Sequence, residues 1–244
     1  VWTLTTPDDS PNQGAARLVL PQTGAVGGIQ VSPAGDMLAT WTGAETILWS
    51  LIGEPKIILP QDGLVSGVLF NATGSQLLTW GLDTKVQLWE TETGQIIQTF
   101  AHDGAVNGAR FSRSGQQIIT WSIDATVRIW SVGNGAQLAR LAHEVTLQGQ
   151  IFPLAVIDAR WNNDETYVLS LALDGQARVW RLDGSNTAVL LQHQGLLIRE
   201  ALWSDDGRRV LTWDETDAAR VWEIDQNYRM VVLRHPNGLR GVSW

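Results

Sequence analysis

No cysteine occurs in the 244 residues, which excludes disulfides, thiolate nucleophiles and thiolate metal sites and leaves the redox compartment open. No run of 18 apolar residues occurs either, so the sequence offers no membrane-spanning helix. Basic residues are too few for a nucleic-acid surface. With 17 Lys and Arg against 25 Asp and Glu, the chain carries a formal charge of -8, the wrong sign for displacing counterions from phosphates. Helical spacing at i, i+3, i+4 is not sustained anywhere. No dinucleotide fingerprint, phosphate loop or G-x-S-x-G nucleophile elbow is found. A charged-then-apolar leader is also missing; the chain starts at Val1 and stops at Trp244 inside an apolar run, and reads as an excerpt with domains outside it. The compartment stays open, with the cytoplasm favoured.

What remains is abundant apolar residue, 44%, and thirteen tryptophans, enough for a sizeable β core. The apolar residues fall in runs of four to seven, rich in Val, Ile, Leu, Thr and Trp, and these predict strands. A tryptophan closes one run in each unit, at Trp2, Trp49, Trp89, Trp130, Trp180 and Trp222, with intervals of 47, 40, 41, 50 and 42. A repeat just above forty residues with several short strands is the mark of a propeller array. The expected organisation is a single domain over 1–244: a partial unit at 1–20, full units at 25–60, 64–101, 105–142, 155–192 and 197–234, and one strand at 239–244. Each full unit has a run before a polar turn, a run holding a Thr-Trp or similar pair, the Trp-closed run, and a linking run. Gly35, Gly74, Gly115 and Gly207 fall at one position of the first turn. Glycine tolerates the positive φ such a turn needs. Glu165 takes that place in the fourth full unit, which predicts a turn of another shape there. Val145–Pro153 lengthens one link by about eight residues, the cause of the 50-residue interval.

Three polar positions recur with the closing Trp. All four histidines, His102, His143, His193 and His235, precede a unit. A hydroxyl stands in the second run at Thr40, Thr79, Thr120, Ser170 and Thr212. Asp83, Asp124 and Asp174 each stand six residues before a closing Trp. A hydroxyl, His and Asp are also the parts of a hydrolase triad. A triad occurs once per site, however, and this set recurs, so it reads as structure. Histidines one per unit do not make a metal centre, and neither metal nor cofactor is expected.

In these residues the chain resembles the WD-repeat family over essentially its whole length. The resemblance implies an all-β propeller of four-stranded antiparallel blades. It also implies buried hydrogen-bonded sets: His102, Thr120, Asp124 and Trp130 in one unit, and His143, Ser170, Asp174 and Trp180 in the next. Departures are clear. The residue after the closing Trp is never Asp. Gln22 and Gln61 stand where His belongs in the first two full units. Thr216 stands at the Asp position of the last, with Asp217 one later. The density of Thr-Trp units resembles bacterial WD-repeat arrays, which often accompany signalling domains.

The resemblance further implies that first-strand starts line a channel mouth. Those positions are Gly27-Gly28, Ser66-Gly67, Asn107-Gly108, Ile157-Asp158, Arg199-Glu200 and Arg240-Gly241. The small pairs are expected to leave room at the axis. Asp158, Arg199, Glu200 and Arg240 are expected to form a mixed-charge arc, with Asn107 beside it and Phe152 of the long link as an exposed anchor. The function expected is a non-catalytic scaffold binding a protein or peptide, and no nucleic acid. The alternative is a propeller enzyme or glycan-binding module using axial carboxylates or exposed tryptophans, such as Trp41, Trp80, Trp121 and Trp213.

Overall fold

Short β-branched runs punctuated by Gly, Asn and Asp turns build hairpin after hairpin, because neighbouring runs pair before any distant segment can. The computed structural model describes residues 3–4, 18–19, 24–50, 57–148, 150–193, 196–216, 218–226, 228–234, 239 and 241–244. Five four-stranded antiparallel sheets follow one another along the chain. The first holds β3 (Gly28–Val31), β4 (Met37–Thr42), β5 (Glu45–Ser50) and β6 (Ile57–Pro60). The second holds β7 (Val65–Phe70), β8 (Gln76–Gly81), β9 (Lys85–Glu90) and β10 (Ile96–Ala101). The third holds β11 (Val106–Phe111), β12 (Gln117–Ser122), β13 (Thr126–Ser131) and β14 (Gln137–Ala142). The fourth holds β17 (Val156–Trp161), β18 (Tyr167–Ala172), β19 (Ala177–Arg181) and β20 (Ala188–Leu191). The fifth holds β21 (Ile198–Trp203), β22 (Arg209–Asp214), β23 (Ala218–Glu223) and β24 (Arg229–Arg234). A short pair, β1 (Thr3–Leu4) with β2 (Leu18–Val19), precedes them. Among the described residues one 3-10 turn, Ile224–Gln226, is the sole helical element, and no helix is long and apolar enough to cross a membrane.

The core lies between consecutive sheets. Leu78, Val86, Leu88 and Phe100 of the second sheet pack on Val106, Ala109, Ile118 and Trp130 of the third. The same positions pack the third sheet on the fourth and the fourth on the fifth. In the linking strands Leu59, Phe100, Leu141 and Leu191 are all fully buried. Each such aliphatic or aromatic side chain contributes about 1.5–3 kcal/mol by leaving water. Leu233 of β24 holds the equivalent register and is half exposed.

Two local expectations need correction, and the long link takes a definite form. Glu165 does not reshape its turn: it has φ 61°, like Gly35, Gly74, Gly115 and Gly207, and its amide donates to the Asn162 carbonyl as theirs do to Ser32, Asn71, Ser112 and Ser204. The paired strands on either side dictate the conformation, and Glu165 bears the left-handed strain. Glu165→Gly should therefore stabilise the chain by about 0.5–1 kcal/mol, read as a higher thermal unfolding midpoint. The long link holds a hairpin: β15 (Glu144–Leu147) pairs antiparallel with β16 (Gln150–Pro153). Leu239 and Gly241–Trp244 form no strand; Trp244 instead donates its indole N–H to the Leu202 carbonyl (3.3 Å) under Arg209.

Candidate functional site

The recurring polar side chains meet inside the sheets. In the third sheet His102 on the link meets Thr120 on β12 and Trp130 on β13; antiparallel register sets Trp130 opposite Ile118, two residues from Thr120 and on the same face. His102 Nε2 lies 2.7 Å from Thr120 Oγ1, which accepts the Trp130 indole N–H at 2.9 Å. His102 Nδ1 lies 2.8 Å from Asp124 Oδ2 in the turn. These partners fix the tautomer: Nδ1–H donates to the carboxylate and Nε2 accepts from the hydroxyl. Burial alone would raise the Asp124 carboxyl. Hydrogen bonds from His102, Thr126 and the Asp103 amide outweigh it and hold the group well below the ordinary carboxylate range.

The fourth sheet differs. His143 Nε2 lies 2.7 Å from Ser170 Oγ, and Trp180 donates to the same oxygen at 2.7 Å. Asp174, however, does not reach the imidazole. The Arg178 guanidinium stands between, 2.8 Å from His143 Nδ1 and 3.1 Å from Asp174 Oδ2. A guanidinium can only donate, so Nδ1 accepts and Nε2 carries the proton, the reverse of His102. Burial first, and the Arg178 charge second, push His143 down to about 3. The unfolded chain, at about 6.5, takes up its proton first as pH falls. Stability is full above that value and declines below it, by about 1 kcal/mol from pH 6.5 to 5.5. His143→Gln should remove this share of the decline, as read by urea midpoints at the two pH values. An equal decline in both proteins would refute the assignment.

The fifth sheet is complete, contrary to the sequence expectation. His193 lies 2.6 Å from Thr212 Oγ1, and Trp222 donates to that oxygen at 2.8 Å. The carboxylate comes from Asp214, 2.7 Å from His193 Nδ1. Thr216, at the expected Asp position, donates its amide to Asp214 at 2.8 Å and its hydroxyl to the same oxygen. In the second sheet Gln61 substitutes for His: Thr79 donates to its Oε1 at 3.1 Å and accepts the Trp89 indole N–H at 2.9 Å. In the first, Trp49 donates to Thr40 at 2.8 Å; Gln22 lies outside the described residues, as do His235 and Asp217.

The sequence reading missed an arginine two residues before the closing Trp. Arg128, Arg178 and Arg220 are buried and pair with Asp124, Asp174 and Asp214 at 3.0, 3.1 and 2.9 Å. Arg128 also donates to the Ala101 carbonyl (3.0 Å) and to Asp103.

Chemically, hydroxyl, imidazole and carboxylate stand in the order of a hydrolase triad. Yet Thr120, Ser170 and Thr212 are at most 1% exposed, and each oxygen is already engaged by an indole. A nucleophile closed inside a sheet has no approach for substrate. Among the described residues no group of three His, Asp or Glu side chains could hold a metal ion.

The channel-mouth positions are also placed differently from expectation. Three of the small pairs, those at Gly28, Gly67 and Gly108, do not leave room. A Cβ on Gly28 or Gly108 would fall on the ring of Trp41 or Trp121, and one on Gly67 would lie 2.5 Å from Trp80 Cζ2. Each glycine faces its tryptophan across paired strands, so the indole occupies the space the glycine vacates. Nor do the charges form an open arc. Asp158 is held by Arg110 (3.2 Å) and Arg160 (2.6 Å), Arg199 pairs with Glu215, and Glu200 accepts from the Trp213 indole at 3.4 Å. Asn107 donates to the Val156 carbonyl at 2.7 Å, and Arg240 lies outside the described residues. Phe152 is 43% exposed on the hairpin.

The same end of the sheets carries aliphatics that the sequence reading passed over. Leu82, Ile123 and Leu173, each just before a turn Asp, are 56%, 53% and 66% exposed. Each donates its amide to the carbonyl of the residue just before the first strand, Leu64, Ala105 or Ala155. Leu64 and Leu197 at those strand starts are more than half exposed as well. Their signal was an apolar residue where a turn calls for a polar one.

Residues 94–131 match the family model of the WD domain, G-beta repeat. The match spans the approach to β10 through the end of β13, with His102, Thr120, Asp124 and Trp130 inside it. The four-stranded sheets on either side repeat that plan and are consistent with a WD-repeat family. No curated protein matches the chain.

Proposed function

We propose that this WD-repeat chain is a non-catalytic scaffold whose sheets are blades of a propeller and whose turn-bearing end receives a protein or peptide. WD repeats are in general protein-interaction scaffolds. The radial arrangement is supported by first strands approaching one another, β3 with β7 and β11 with both β7 and β17. The single observation that carries the binding reading is the exposed aliphatic repeated before the turn Asp in three consecutive sheets, at Leu82, Ile123 and Leu173. Exposed apolar positions held at matching places cost solubility and are retained where a partner covers them. Phe152 on its hairpin adds an aromatic anchor of the kind that dominates interface energetics. Asn107, Asp158, Arg199, Glu200 and Arg240 then serve as polar surroundings, with Asp158, Arg199 and Glu200 already partnered within the chain.

The test is capture by the immobilised chain followed by crosslinking and peptide mapping. Leu82→Lys, Ile123→Lys and Leu173→Lys together should abolish capture and leave the circular dichroism spectrum and thermal midpoint unchanged. Crosslinks should map to the turns and the hairpin. Undiminished capture by the triple variant removes this end of the sheets as the binding surface.

A further inference from the structure

β24 is the outermost strand of the fifth sheet and is hydrogen-bonded to β23 alone. A strand at an edge directs the N–H and C=O of every second residue away from its sheet, where they can pair with another chain. The other outer strands carry devices against such pairing. The β10 ladder breaks between Ile96 and Gln98, and the β14 ladder breaks opposite Ile129 and Trp130. β6 and β20 run only four residues, and β6 ends at Pro60. β24 has none of these: its six residues pair with β23 in unbroken register.

All six residues of β24 are exposed. The middle four, Met230, Val231, Val232 and Leu233, are apolar and between 39% and 51% exposed, so both faces of the strand are open. Both ends are arginines, in a chain of net charge -8. In the ladder Glu223 stands opposite Arg229, and Ala218 opposite Arg234. Among the described residues neither guanidinium makes an ion pair. Asp225, the nearest acid to Arg229 in sequence outside the ladder, is taken by Arg208 at 3.8 Å.

We propose that β24 receives an extended segment of a partner protein as a fifth strand of its sheet, four apolar or β-branched residues with an acidic residue at each end. In strand addition of this kind main-chain hydrogen bonds supply affinity and side chains supply selection. An acid at each end of the segment lies beside an arginine, whichever way the segment runs. Opposite charges on neighbouring strands stabilise the pair, and like charges destabilise it. The same rule disfavours a second copy of this chain, since in-register pairing of two β24 strands sets Arg against Arg at both ends in either direction. The edge belongs to the fifth sheet, whereas Leu82, Ile123 and Leu173 belong to the second, third and fourth, and neither site requires the other.

The probe is the blocked hexapeptide acetyl-Glu-Val-Thr-Val-Thr-Glu-amide, compared with the same peptide carrying Lys at both ends. Affinity is read from the anisotropy of the labelled peptides, and the site from backbone amide hydrogen exchange followed residue by residue. The Glu peptide should slow exchange of alternate amides in Arg229–Arg234 at least tenfold, and the Lys peptide should bind at least tenfold more weakly. Arg229→Glu with Arg234→Glu should invert that preference and leave the circular dichroism spectrum unchanged. Arg234→Glu alone, which faces Ala218, should weaken the Glu peptide at least threefold. The Leu82, Ile123 and Leu173 variant should bind normally. Equal affinity for the two peptides, bound peptide with unaltered exchange in β24, or a dimer of the free chain in sedimentation that protects β24 would each overturn the proposal.

Discussion

Asp214→Ala should lower the free energy of unfolding by about 3–5 kcal/mol, the cost of breaking a buried ion pair from one side. Asp214 is fully buried, and it faces both His193 (2.7 Å) and Arg220 (2.9 Å). Its removal strands a guanidinium and an imidazole away from water. Asp174→Ala is the control. Asp174 touches Arg178 but not His143, and its side chain is 13% exposed, so about 1 kcal/mol is expected. Urea unfolding at neutral pH, followed by tryptophan emission, measures both. Equal costs would sink the distinction between the two sheets. The acid limb carries a further sign. Burial would raise the Asp214 carboxyl, but bonds from Thr216, Arg220 and His193 outweigh it and hold the group far below its ordinary range. A depressed folded value means stabilisation that is complete above about pH 4 and lost as pH falls further. The gap between the native chain and Asp214→Ala should therefore narrow below that pH.

Gly108→Ala should cost about 1–3 kcal/mol although it adds one methyl to a strand that favours side chains. That methyl would fall on the Trp121 ring. Trp121 cannot move freely. Its indole donates to the Ile157 carbonyl of the next sheet at 3.1 Å, and Arg110 stacks 5.4 Å from its centroid. Trp121→Leu relieves the clash and loses those contacts, so it destabilises alone. The pair together should cost less than the sum, with a coupling of about 1 kcal/mol or more in a double-mutant cycle. The fourth sheet supports this: Asp158 stands at the glycine position, and opposite it is Leu171 in place of Trp. Strict additivity would show that the strand tolerates a side chain there without help from its partner.

The sheets were legible because the closing Trp marks each unit and the runs between have strand length. The third sheet's polar set was legible for the same reason, since all four residues sit at family spacing. Asp214 was not legible because the repeat spacing puts the carboxylate six residues before Trp222, whereas the fifth sheet takes one from the end of its second strand. The arginines at 128, 178 and 220 escaped because alternation marks a charged residue as outward-facing, while burial here is secured by pairing with Asp. The hairpin at Glu144–Pro153 carried a readable sign, Gln-Gly between two alternating runs, which the register of Leu147 with Gln150 matches. The cleft walled by Arg110 of the third sheet, Arg160 of the fourth and Trp203 of the fifth could not be read at all, since these residues meet only when the sheets stack.

The opposed glycine and tryptophan also constrain the order in which a diverging copy can change. Starting from Gly and Trp, acquiring Asp first drives a carboxylate into an indole. Acquiring Leu first leaves only a small void above a glycine. The passable route to the Asp158–Leu171 pair runs through the void. The fifth sheet records a second exit: Glu200 keeps Trp213, and its longer side chain reaches the indole N–H at 3.4 Å. A departure from the glycine thus either changes the residue opposite, as Asp158 with Leu171, or finds a bond to the indole that stays, as Glu200 with Trp213, and the pair tells the two routes apart where neither residue alone would.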